Sequence, residues 1–168
     1  RSSASLALPL ALALAACAVD APASSDAEGE RLGTVASAAT ADLTEVTSFG
    51  SNPGGLKMWK HVPAAVKPSP ATVVVMHGCQ QGAVDATKTG WNELSEQFGF
   101  VLVFPEQQTA NNSVRCFNWG GDYGNMASIQ RGKDENLSVK QMVDKALADH
   151  GGDPKRVMVM GHSAGAYN

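Results

Sequence analysis

The chain has 168 residues, 43% of them hydrophobic, and a formal net charge of −3. That length holds one ordinary domain, and the balance describes a globular chain with a mixed, mildly acidic surface. It excludes the basic face that nucleic-acid binding requires, so no nucleic-acid partner is expected.

Residues 6–16 form an apolar run that stops at Cys17. The run is too short to cross a bilayer, which takes about 20 residues, but it suits the core of a signal peptide. Leu14-Ala15-Ala16-Cys17 resembles a bacterial lipobox, in which the cysteine is lipidated and becomes the mature N-terminus. The alternative is ordinary secretory cleavage at small residues such as Ala21-Pro22-Ala23. Either route takes the protein out of the cytoplasm, secreted or lipid-anchored to an outer membrane or cell surface. Membrane contact is expected only through such an anchor. Residues 18–42 are rich in Ala, Ser, Thr, Asp and Glu. They offer too little apolar surface to offset the entropy of ordering, and so predict a flexible tether. The folded part is expected over 43–168.

Thr44–Gly50 and Leu56–Val62 predict two short strands, with Ser51-Asn52-Pro53-Gly54-Gly55 as the hairpin connection. Thr72-Val73-Val74-Val75-Met76 is a continuous apolar, β-branched run, as a strand buried on both faces requires. It leads into His77-Gly78-Cys79-Gln80-Gln81-Gly82. A glycine-bearing loop at the C-terminal end of a buried strand is where serine hydrolases of the α/β type place one oxyanion donor. The amide of Cys79 or of Gln80 is the candidate. His77 has two readings, a catalytic base or a structural histidine that fixes this loop, and the structural one is preferred.

Asp85–Phe98 predicts one helix with Trp91, Leu94 and Phe98 on its inner face, ended by Gly99. Phe100–Phe104 predicts a second buried strand, closed by Pro105-Glu106. A long loop follows to Gly132, and loops of this length in a compact domain are usually functional or mobile. Within it, Trp119 and Tyr123 are candidates for a substrate rim, with packing against the sheet end as the alternative. Asp134–His150 predicts a helix with Val139, Met142, Val143, Ala146 and Leu147 as its buried stripe. Its acidic first turn complements the helix dipole.

The last stretch is Val157-Met158-Val159-Met160 running into Gly161-His162-Ser163-Ala164-Gly165. Gly-x-Ser-x-Gly is the pattern of a nucleophile elbow, in which a buried parallel strand turns sharply into a helix and exposes a serine hydroxyl. A side chain at Gly161 or Gly165 would collide with neighbouring backbone. Ser163 is the candidate nucleophile, and the amide of Ala164 a second oxyanion donor. The alternation of strands and helices implies a parallel sheet with helices on its faces.

If Cys17 is lipidated or removed, Cys79 and Cys116 remain as an even pair. In an oxidising compartment they are expected to bridge, the alternative being two buried free thiols. No metal site is expected, because His77 and Cys79 have no second cluster at ligand spacing.

Several segments occur together in one order: His77-Gly78-Cys79-Gln80-Gln81, Phe104-Pro105-Glu106-Gln107, Cys116-Phe117-Asn118-Trp119, Arg131-Gly132, and Asp153–Val157 before the elbow. The set resembles the extracellular polyhydroxybutyrate depolymerase-type esterases, a family that includes feruloyl and acetyl xylan esterases. The resemblance covers about residues 43–168. It implies an α/β-hydrolase fold with a mostly parallel sheet and helices on both faces. It also implies a Ser-Asp-His triad with Ser163 as nucleophile, no cofactor, and an ester polymer or ester-decorated polysaccharide as substrate. In this fold the acid and the histidine follow the serine in the chain. Both are therefore expected beyond Asn168, with the 168 residues as an N-terminal portion, inactive by itself. His61 and His150, on surface-like segments, and His162, directed away from the serine, are not expected to act as base. Two alternatives stand beside the esterase: a secreted peptidase on the same fold, and a catalytically dead polymer-binding lipoprotein.

Overall fold

The computed structural model describes residues 43–121, 123 and 126–167. The export signal, the lipidation site Cys17 and the tether expected over 1–42 lie outside the described residues.

β1 (Thr44–Val46) and β2 (Lys57–His61) pair antiparallel, with Thr44 opposite Lys60 and Val46 opposite Met58. Both strands are shorter than their sequence patterns imply. Residues of the connection bond elsewhere: the amides of Asn52 and Gly54 donate to Gln141 Oε1 at 2.9 Å and to Ser138 Oγ at 2.8 Å. Asn52 also closes the turn on Leu56, accepting from its amide and donating to its carbonyl.

The chain continues through β3 (Thr72–Met76), α1 (Ala83–Thr87), α2 (Trp91–Phe98), β4 (Val101–Glu106), α3 (Asp134–His150), β5 (Val157–Gly161) and α4 (Ala164–Tyr167). The strands form one sheet in the order β1-β2-β4-β3-β5. β3 is parallel to β4 and to β5, whereas β2 is antiparallel to β1 and to β4. The sheet is therefore mixed, with the expected parallel run and the hairpin on its flank. The helical crossovers impose parallel pairing on β3, β4 and β5, and the hairpin adds an antiparallel flank.

Strand alternation sorts the core onto two faces. Val74, Met76 and Val103 point with Met58 and Phe117 toward Met142, Val143 and Ala146 of α3. Val73, Val75, Leu102 and Phe104 point toward Ala83 and Ala86 of α1, with Trp59 and Trp91 against them. Helices thus cover both faces, as expected, and Val139 and Leu147 complete the predicted α3 stripe as partly buried neighbours.

The single helix expected over Asp85–Phe98 is two. Thr87 and Thr89 donate their hydroxyls to the carbonyls of Val84 and Ala86, competing for acceptors that a continuing helix would use. Gly90 then adopts φ +86°, a left-handed conformation that restarts the helix in a new phase. The reset turns Asn92 and Ser95 inward, while Leu94 and Phe98 are 39% and 51% exposed. Of the predicted inner face only Trp91 keeps its place, edge-on to Phe100. Gly99 ends α2 at φ +73°, as its position implied.

Candidate active site

The elbow is built on the ladder between β3 and β5. Met76 pairs with Gly161, and one residue on the amide of His162 donates to the carbonyl of Met76 at 3.0 Å. The chain then reverses at Ser163, whose φ is +52°, and enters α4. A β-carbon at Gly161 would lie 2.2 Å from the carbonyl oxygen of Gly165. One at Gly165 would lie 2.6 Å from the carbonyl oxygen of His77. These approaches are the backbone crossing that forces Ser163 outward. Ser163 is exposed, and its hydroxyl has no hydrogen-bond partner among the described residues. β5 is the sheet's outer strand among the described residues, and Met158, Val159 and Met160 are 49%, 57% and 39% exposed.

The loop after β3 lies beside the serine. A β-carbon at Gly78 would stand 3.2 Å from Ser163 Cβ, so the missing side chain allows the approach. Sequence left the amides of Cys79 and Gln80 as alternatives, and the geometry separates them. Gln80 donates its amide to the carbonyl of Val114 at 2.7 Å, and its own carbonyl accepts from Arg115 Nη2 at 2.7 Å. Its amide is committed, at a left-handed φ of +63°. The amides of Cys79 and Ala164 have no acceptor among the described residues. Cys79 is disulfide-bonded to Cys116, with Cα atoms 4.2 Å apart, so the loop is tied to Val114, Arg115 and Cys116 in turn.

His77 is 2% exposed and both ring nitrogens are engaged. The amide of Gln107 can only donate, so Nε2 accepts from it at 3.0 Å. Nδ1 therefore carries the proton and donates to the carbonyl of Gly78 at 2.7 Å. Burial pushes the His77 pKa below the ordinary imidazole value, against a smaller upward pull from the Gly78 bond. The ring also rests against Phe117, centroids 4.8 Å apart. This is the geometry of a neutral strut under the loop.

A cleft of about 540 Å³ opens over Ser163, lined by Cys79, Ala164, Trp119, Tyr123 and Tyr167. Trp119 is 46% exposed and faces Tyr167 at 6.3 Å between centroids. Both predicted rim residues thus reach the cleft rather than packing on the sheet end. Tyr167 escaped the sequence reading, although its place one helical turn after the serine puts it on the same side of α4. Among the described residues neither a histidine nor a carboxylate lines this cleft. His162 lines a separate space of about 220 Å³ with Trp91 and Met160. His150 Nε2 lies 3.2 Å from Lys60 Nζ, and burial together with that ammonium holds its pKa down. His61 is 4% exposed on β2, with Nε2 3.0 Å from Glu96 Oε1. Its surface placement in the sequence reading is corrected accordingly: the β2 pleat turns it inward toward α2. Among the described residues no group of three potential metal ligands gathers.

Sequence reasoning also missed the polar core behind the rim. Glu135 Oε1 accepts from Gln107 Nε2 at 2.7 Å, and Oε2 accepts from the amide of Asn118 at 2.9 Å. The acid at the start of α3 was visible only as a complement to the helix dipole, because its partners are 28 and 17 residues away.

The crossover pattern, the strand-to-helix elbow and the loop beside it define an α/β-hydrolase fold. The chain belongs to the esterase PHB depolymerase family, whose sequence model matches residues 58–168. It is 47% identical to poly(3-hydroxyalkanoate) depolymerase C of Paucimonas lemoignei over 135 residues, covering 79% of this chain and 31% of that protein. It is 32% identical to feruloyl esterase B of Talaromyces funiculosus over 127 residues, covering 75% of this chain and 34% of that protein. Among solved structures, an acetyl xylan esterase from Aspergillus awamori superposes with a TM-score of 0.66 at 28% identity, covering 74% of this chain and 44% of that one. The chain thus spans about a third of the curated relatives it matches.

Proposed function

We propose that this chain carries the nucleophile and both oxyanion donors of a serine carboxylic ester hydrolase. The supporting observation is that Ser163, exposed at a left-handed φ, shares one apolar cleft with the backbones of Cys79 and Ala164, whose amides are free. Ser163 Oγ attacks the ester carbonyl carbon while its proton passes to a base that the described residues do not supply. Charge develops on the carbonyl oxygen and is met by the amides of Cys79 and Ala164, each worth about 3 kcal/mol in such sites. The alcohol departs with a proton, and water then cleaves the acyl-enzyme and restores the serine.

The 47% identity to a poly(3-hydroxyalkanoate) depolymerase favours a hydroxyalkanoate polyester as substrate over feruloyl or acetyl esters of a polysaccharide. The apolar run before Cys17 supports export, with lipid anchoring as its finer form. The test is Ser163→Ala in a chain carried on to the length of its relatives. The variant is expected to lose about 10⁶-fold in kcat on hydroxybutyrate oligomers and to escape labelling by a fluorophosphonate. Full ester hydrolysis by Ser163→Ala would overturn the assignment.

A further inference from the structure

Behind the rim of the cleft sits a carboxylate that none of the catalytic steps uses. Glu135, in the first turn of α3, is 3% exposed. Burying a carboxylate is costly unless donors are aimed at it, and here each oxygen has one. Oε1 takes Gln107 Nε2 and Oε2 takes the amide of Asn118. Both partners donate, so the site requires two acceptors, which an ionised carboxylate offers and a carboxamide does not. The hairpin turn closes over it: a β-carbon at Gly54 would lie 2.6 Å from Glu135 Cα.

From Asn118 the connection runs directly to the substrate side. The Asn118 side-chain oxygen accepts from the amides of Gly121 at 2.7 Å and Tyr123 at 3.4 Å. Trp119 lies between the residue that Glu135 holds and the residues that Asn118 holds. Gln107 anchors the other oxygen, and itself donates to the carbonyl of Cys116 at 3.3 Å.

We propose that Glu135 is a positioning residue for the ester substrate: through Asn118 it sets Trp119 and Tyr123 over Ser163. The inference rests on the ester-hydrolase reading above, and its test separates the two. Glu135→Gln places an NH₂ against an N–H donor whichever way the amide turns. The reciprocal pair, Glu135→Gln with Gln107→Glu, lets the new carboxamide accept from Asn118 and donate to the new carboxylate. In a chain carried on to the length of its relatives, Glu135→Gln is expected to raise KM for a hydroxybutyrate trimer about tenfold, while kcat on p-nitrophenyl acetate stays within about twofold. Amide exchange should accelerate about tenfold across 116–121 and not in the C-terminal half of α3. The reciprocal pair restores the Asn118 bond but gives up the Gln107 bond to the Cys116 carbonyl, so KM should return to within about twofold of the parent and exchange should recover at 118–121 while staying raised at 116–117.

An unchanged ratio of KM to kcat, exchange that rises uniformly along α3 and the sheet, or no recovery in the reciprocal pair would overturn the proposal. Should Glu135→Gln fail to fold, the reciprocal pair alone decides: it must fold and keep the trimer KM within about twofold of the parent. If the unsubstituted protein hydrolyses neither ester, the functional reading fails, while local exchange still reports whether Glu135 holds the rim.

Discussion

The amide of Gln80 donates to the carbonyl of Val114 at 2.7 Å, and this bond leaves its neighbour Cys79 as the open donor on the loop. The Cys79–Cys116 disulfide fastens the same two segments, one residue back on the first and two residues on in the second. Cys79→Ser with Cys116→Ser removes a link across 37 residues, which on the loop-closure argument stabilises by about 4 kcal/mol. Urea denaturation should show a loss of that order. Because the Cys79 amide survives the substitution, ester hydrolysis should weaken mainly in kcat. Unchanged kcat and stability would show that the Gln80 bond suffices.

Gly165 tests the elbow. A methyl group there meets two carbonyl oxygens, those of His77 and Met76, at 2.6 and 2.7 Å. Neither can move without disturbing the β3–β5 ladder. Gly165→Ala is therefore expected to lower the unfolding free energy by about 3 kcal/mol, as overpacking against rigid structure does. Thermal unfolding checks it, and a shift of a degree or less would refute the crossing described here.

His77 gives a pH signature. Burial depresses its folded pKa, so the unfolded chain takes up a proton before the folded one does. The stability it contributes is intact above about pH 6.5 and is lost as the pH falls from there through the depressed value. His150 is depressed as well and adds in the same direction. The difference between the parent and His77→Gln isolates the strut: unfolding free energy should fall less steeply between pH 7 and 5.5 in the variant. Parallel curves would mean that His77 titrates normally.

Trp119 is expected to matter for binding more than for folding. It is half exposed, and its ring faces Tyr167 across the cleft. Trp119→Ala should raise KM on oligomeric esters several-fold, with Tm within a few degrees of the parent, since surface substitutions away from the core cost little. A large Tm loss would mean that the indole packs rather than binds.

What was legible in the sequence was short-range. Five residues of Gly-x-Ser-x-Gly imply the collision that the structure places at Gly161 and Gly165, and the run Thr72–Met76 is buried throughout. Harder to read were choices made by distant partners. Gln80 loses its amide to Val114, and Asn118 and Gln107 converge on Glu135 from loops whose meeting no local pattern announces. The break at Gly90 lies between these cases. The glycine is plain in the sequence, but two threonine hydroxyls diverting carbonyls make it a restart rather than a tolerated interior residue.

The register of β3 against β5, with Val75 opposite Met160 and Met76 opposite Gly161, sets more than a strand pairing. Cys79 and Ala164 each follow the end of one of these neighbouring strands by three residues, so the spacing of their amides is inherited from the sheet. Trp119, by contrast, hangs from a loop anchored to α3. Reaction and recognition are therefore separable inheritances in this scaffold. On the proposed ester-hydrolase reading, loop exchange over 117–133 would alter recognition while leaving the spacing of Ser163 and the Cys79 and Ala164 amides where the ladder puts it.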